Sequence, residues 1–129
     1  YALEELQRQR FIEMRKKGNG VIVQLTDDGR LHVLRQQMKS APACVSGECI
    51  MVTFDIPEAA RGARLHFRRF LKECNFVQSQ KSVWICDRSV LPHLLSFIKL
   101  TNIDKWVHAF IAKEVPRLQE LRKKGKKNS

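Results

Sequence analysis

Apolar positions change their spacing several times along the 129 residues, and each change marks an expected element. Residues 49–55, CIMVTFD, form a run of apolar and β-branched side chains, the pattern of a strand buried on both faces. Pro57 stops that strand: it cannot donate to a ladder, and its fixed φ suits the first turn of a helix. The period then lengthens. Ala63, Phe67, Phe70, Leu71 and Cys74 fall on one helical face, and Arg61, Arg64, Arg68 and Lys72 share the opposite one. Asn75 is read as the stop, and residues 76–80 and 82–86 as two short strands around Lys81. A loop at 87–89 follows, with Ser89 as the expected cap. Leu91, Leu94, Leu95 and Ile98 restore the helical period, Pro92 suits the first turn, and Asn102 ends the helix. Residues 106–112, WVHAFIA, make a last strand. The order β-α-β-β-α-β is the ferredoxin-like split βαβ arrangement, an α+β fold.

The first 47 residues have another rhythm. Residues 1–10 read as a helical stretch with Leu3 and Leu6 apolar and Arg8 and Arg10 exposed. Strands at 11–16 and 21–25 flank Gly18-Asn19-Gly20, a strong turn signal. Thr26 is a good N-cap, with Asp27 and Asp28 favouring the helix dipole; the helix is expected to reach about Lys39, with Leu31, Leu34 and Met38 on one face. Residues 40–47, SAPACVSG, are small and without period, so they read as a linker. The domain reading is therefore 1–39, linker 40–47, a ferredoxin-like module at 48–115, and a basic helix and solvated tail at 116–129.

Charge changes the picture most. With 24 Lys and Arg against 13 Asp and Glu, the chain carries +11, which argues for a polyanionic partner: nucleic acid first, an anionic membrane surface second. No run reaches the roughly 18 apolar residues of a membrane span, and the start shows no signal-peptide pattern. Four irregularly spaced cysteines give no disulfide framework, so reduced structural thiols in a cytoplasmic protein are expected. Cys44 and Cys49 have no second ligand pair at zinc spacing, and the four histidines are scattered; a metal cluster or a Cys/His nucleophile is not indicated. Trp84 and Trp106 sit in strand patterns and read as core rather than as base-stacking platforms.

The clearest candidate for phosphate contact is the basic helix face of Arg61, Arg64, Arg68, Arg69 and Lys72, where only Glu73 offers local compensation. A second basic patch is Arg15, Lys16 and Lys17 at the hairpin turn, with Arg8 and Arg10 at the end of the preceding helix. Read locally, Asp55 and Glu58 are carboxylates at a helix N-terminus.

The segment FDIPEAARGARLHFRRFLKECNFVQSQKSVWI resembles the central domain of PaaX-like transcriptional repressors, with a strand ending in FDIPE, an arginine-rich helix and a Q-x-SVWI strand. That domain is in turn similar to the small CRISPR-associated Cas2 endonuclease and adaptation subunit. LEELQRQRFIEMRKKGNGVIVQLTDDGRLHVL resembles the end of a recognition helix, the wing hairpin and the closing LT-x-x-GR helix of a winged helix. The first half of such a domain is missing, so the reading expects a chain that was cut or begins mid-domain. The resemblance implies a double-stranded-DNA-binding regulator. Its ferredoxin-like domain would form a homodimer and set half-site spacing, and an acyl-CoA-like effector would bind without a resident cofactor. The alternative it implies is a metal-dependent nuclease or spacer-integration subunit. There Asp55, as metal-binding and catalytic residue, would meet its dimer mate around Mg²⁺ or Mn²⁺. A third reading is a purely architectural dimer whose charge keeps it soluble.

Overall fold

The computed structural model describes residues 9–113. Arg8, most of the helix expected at 1–10 and the basic stretch at 116–129 lie outside the described residues. The N-terminal pattern folds as an antiparallel hairpin of β1 (Ile12–Lys17) and β2 (Gly20–Leu25), with Ile12 opposite Leu25 and Lys17 opposite Gly20. Gly18 and Asn19 form the loop, and Gly18 adopts φ +60 at the first loop position, where glycine alone carries no steric cost. Helix α1 (Asp27–Lys39) begins at the expected cap: the Thr26 hydroxyl accepts from the Gly29 N–H at 3.0 Å and donates to the Arg10 carbonyl at 2.6 Å. Thr26 also donates its own N–H to the Phe11 carbonyl at 3.0 Å. Gly29 completes this corner, because a Cβ there would overlap the Phe11 carbonyl oxygen.

The central apolar run becomes β3 (Glu48–Phe54). A 3-10 turn, Glu58–Ala60, leads into α2 (Arg61–Glu73); β4 (Val77–Gln80), β5 (Val83–Cys86), α3 (Leu91–Leu100) and β6 (Val107–Lys113) follow. The sheet order is β4-β5-β3-β6 with every neighbouring pair antiparallel, the order of a ferredoxin-like domain. Alternate residues of β3, Ile50, Val52 and Phe54, join the apolar stripes of α2 and α3 in one core. At its centre Phe97 lies on Phe70, ring centroids 3.6 Å apart and planes 10° apart, and stacks more distantly on Phe67.

Both helices of this module end by the same device. Asn75 and Asn102 take φ of 70° and 60°, in the left-handed region that Asn tolerates better than most residues. Each gives a Schellman pair: Asn75 donates to Lys72 and Phe76 to Leu71, Asn102 to Lys99 and Ile103 to Ile98. The residue after each Asn, Phe76 or Ile103, is buried and anchors the turn.

Three expectations need correction. Ser89 does not cap α3; Val90 occupies the N-cap position without a side-chain bond, while Ser89 gives its N–H to the Pro42 carbonyl at 2.8 Å. Leu95 is 47% exposed, and the buried stripe is Val90, Leu94, Phe97 and Ile98. Trp106 ends a 3-10 turn, Asp104–Trp106, instead of opening the last strand. It is half-buried against the core, with Lys105 Nζ 4.5 Å from its ring centroid.

The stretch at 40–47 contains no helix and is pinned to the module. Ala43 pairs with Arg88, Cys44 donates to the Asp87 carbonyl at 2.7 Å, and Arg88 Nη1 donates to the Ala41 carbonyl at 3.0 Å. Met38 and Ala41 are buried in the same core as α2 and α3. Arg35 of α1 brings Nε to 3.0 Å from Glu73 Oε2 of α2; the contact is ionic, since this buried Nε has no well-directed hydrogen bond. No helix among the described residues is long and apolar enough to cross a membrane.

Burial dominates the chemistry of the thiols. It raises the Cys86 pKa from 9.0 to about 12 and that of Cys74 to about 11, and it raises Cys49 as well. Native protein at pH 8 should therefore protect Cys49, Cys74 and Cys86 from iodoacetamide, whereas unfolded chain should react at all four positions; mass spectrometry of trapped thiols checks this. Any stability these raised values contribute is full below pH 9 and is lost as pH rises through 11 and 12, because the unfolded chain releases its thiol protons first.

Candidate nucleic-acid interface

Because Phe67, Phe70, Leu71 and Cys74 turn inward, the spacing of α2 forces Arg61, Arg64, Arg68 and Lys72 outward. Arg61, Arg69 and Lys72 are exposed; Arg64 and Arg68 are half-buried where the helix flank meets the core. Leu65 lies among them, 48% exposed. Charge compensation differs from expectation. Glu73 turns to Arg35 of α1, and the carboxylate that meets the basic face is Glu58, whose Oε2 lies 2.8 Å from Arg64 Nη2. Arg64 Nη1 also donates to the Ile56 carbonyl at 3.5 Å, so this guanidinium is committed to the β3–α2 connection. No ion pair joins Arg61, Arg68, Arg69 or Lys72 to a carboxylate among the described residues.

Asp55 is exposed just beyond the end of β3. Its N–H donates to the Trp106 carbonyl at 2.9 Å, and the preceding Phe54 N–H donates to the Ser82 carbonyl at 3.3 Å, which fixes the backbone on both sides. The residue borders two clefts. One, about 630 Å³, has Arg61, Arg64 and Arg68 on the α2 side and Lys81 and Ser82 of the β4–β5 turn opposite. The other, about 400 Å³, carries Lys105, Trp106 and His108, and shares Phe54, Asp55 and Ser82 with the first. On the larger cleft four cations face two carboxylates, Asp55 and Glu58, one of them already bound by Arg64. The surplus charge suits an anion.

Lys81 and Ser82 were not among the sequence candidates. Their placement follows from topology: β5 runs antiparallel to β3 with Val83 opposite Thr53, so the turn before β5 must sit beside Asp55. The divalent-ion role considered for Asp55 is poorly served within one chain. Among the described residues no group of three or more His, Cys, Asp or Glu side chains is placed to hold a metal ion, and Arg64 holds Glu58, the other carboxylate on the larger cleft.

Arg15, Lys16 and Lys17 are exposed at the tip end of β1, and Arg10 is exposed with φ 63° where the hairpin meets α1. None of these four lines either cleft. The basic side chains expected from the sequence to meet phosphate thus form two separate groups, one at the hairpin and one on α2.

Residues 43–124, close to two thirds of the chain, match the family model described as the PaaX protein central Cas2-like domain. No curated protein matches the chain.

Proposed function

The chain belongs to the family of the PaaX central Cas2-like domain, and from that premise we propose that it is part of a DNA-binding transcriptional regulator. In this reading the ferredoxin-like module dimerises, and α2 and the hairpin touch phosphates of a duplex. The observation that carries it is the row of exposed or half-exposed cations on α2, Arg61, Arg68, Arg69 and Lys72, left without carboxylate partners among the described residues. Holding like charges together on one helix destabilises it unless a polyanion is bound. The net charge of +11 supports the same partner. Phosphate contacts of this kind position a protein on DNA without reading sequence; base selection would fall to the hairpin.

The test is a gel shift on labelled linear duplex across a salt series, with Mg²⁺, Mn²⁺ or EDTA. With about four phosphates neutralised, log K should fall against log salt with a slope near −4. Asp55→Ala should leave the shift in place or strengthen it, since it removes a carboxylate from the cationic cleft. Metal-dependent cutting lost in that variant would replace this reading with a nuclease. Absence of both shift and cutting would rule out nucleic acid as the partner.

A further inference from the structure

We infer that the cleft between α2 and the β4–β5 turn takes a terminal phosphate, the phosphomonoester at the end of a nucleotide chain, in preference to an internal phosphodiester. This rests on reading the basic face of α2 as a nucleic-acid contact, and it specifies which phosphate that contact selects. An internal phosphate carries one charge and lies on a convex backbone, where an open row of cations is enough. Arg69 and Lys72, which do not border the cleft, are such a row. The cleft is built differently. Cations from two different elements, Arg61 and Arg68 of α2 and Lys81 of the turn, converge on one space of about 630 Å³. That space is on the scale of small-ligand sites.

A phosphomonoester has three free oxygens and nearly two charges at neutral pH, so it can engage an arginine fork and a lysine from different sides at once. The adjoining cleft supplies what should follow such a phosphate. Beyond the shared rim of Phe54, Asp55 and Ser82 lie Lys105, Trp106 and His108; Lys105, whose Nζ is 4.5 Å from the Trp106 ring centroid, must move aside for the half-buried indole to take the first sugar or base. Asp55 stands between the two spaces, where its carboxylate would repel a phosphate but accept from a ribose hydroxyl or a base amine. The arrangement therefore favours phosphate on the α2 side and nucleoside on the Trp106 side. A strand end and a free mononucleotide both carry this phosphate; the recognised group is the same.

The experiment uses the full chain and two blunt duplexes of one sequence, 5′-phosphorylated or 5′-hydroxyl, beside closed circular DNA. The expected result is about tenfold tighter binding of the phosphorylated duplex, the preference disappearing in Lys81→Gln while circular DNA binds that variant as well as wild type. Lys81 is exposed, and its backbone carbonyl, not its side chain, accepts the bond from Gln78 Nε2, so the turn should survive the change. Equal affinity for the two duplexes would overturn the inference and leave the DNA reading standing. If no DNA binds, the DNA reading falls, and calorimetry with adenosine monophosphate against adenosine decides the cleft alone. Binding of the monophosphate but not the nucleoside, lost in Lys81→Gln, would support a terminal-phosphate site for a free nucleotide. No binding of either would overturn it.

Discussion

Reversing Arg69 and Lys72 to glutamate together should weaken duplex binding by about 100-fold at low salt and make the slope of log K against log salt shallower by about 2. Each reversal removes one neutralised phosphate and sets a carboxylate against the backbone in its place. The two positions are chosen for what they do not touch. Neither takes part in an ion pair among the described residues, whereas Arg64 holds Glu58 and the Ile56 carbonyl, so reversing Arg64 would confuse lost binding with a damaged β3–α2 connection. Arg30→Glu is the matched control. Arg30 lies on α1 in an exposed pair with Asp27, and exposed pairs contribute about 0–1 kcal/mol, so folding and binding should both change little. A double variant that keeps the wild-type slope would mean that the charge on α2 serves solubility and that the module is architectural.

Phe97→Ala should be the most destabilising single substitution in the module, at about 3–5 kcal/mol. Phe97 is fully buried, lies face to face with Phe70 and reaches Phe67, so its removal opens the contact between α2 and α3 where neither helix can collapse onto the other. For a domain of this size the melting temperature should drop by about 15 °C in a thermal scan. Leu95→Ala, two residues earlier on the exposed side of the same helix, should cost about 0.5 kcal/mol or less. Similar losses in the two variants would show that the stripe of α3 has been assigned to the wrong face.

That stripe also shows where sequence reading reaches its limit. Leu91, Leu94, Leu95 and Ile98 fit a helical period, and so do Val90, Leu94, Phe97 and Ile98; only the sheet beneath decides between them, because a shift of some 60° around the helix preserves the spacing. Several signals carried by a single residue were legible, although Ser89 does not cap α3. Thr26 caps, and Asn75 and Asn102 end helices through their own backbone or side-chain chemistry, whereas β3 ends at Phe54 and Pro57 precedes a 3-10 turn rather than opening the α-helix. The order of elements was legible for the same reason, since spacing 2 and spacing 3.6 are local properties. Contacts between backbone atoms were not. The stretch at 40–47 resembles a free linker because Cys44 to Asp87 and Ser89 to Pro42 are main-chain bonds with no side-chain signature. The pairing of Arg64 with Glu58 was missed because the two are six residues apart across a 3-10 turn, outside the three- and four-residue spacings by which helical ion pairs are found. Lys81 beside Asp55 required the β3–β5 pairing, which the ferredoxin-like order implies but no local pattern announces.

The corner at Gly29 sets the direction in which the hairpin leaves α1. Each strand of the hairpin is six residues long, an arm of about 20 Å from the corner to the basic tip. A tilt of about 10° at the corner would swing that tip by about 3.5 Å, close to the 3.4 Å rise per nucleotide along one strand of a duplex. Gly29→Ala, which would push the Phe11 carbonyl aside, should therefore displace Arg15, Lys16 and Lys17 further than it displaces the corner itself.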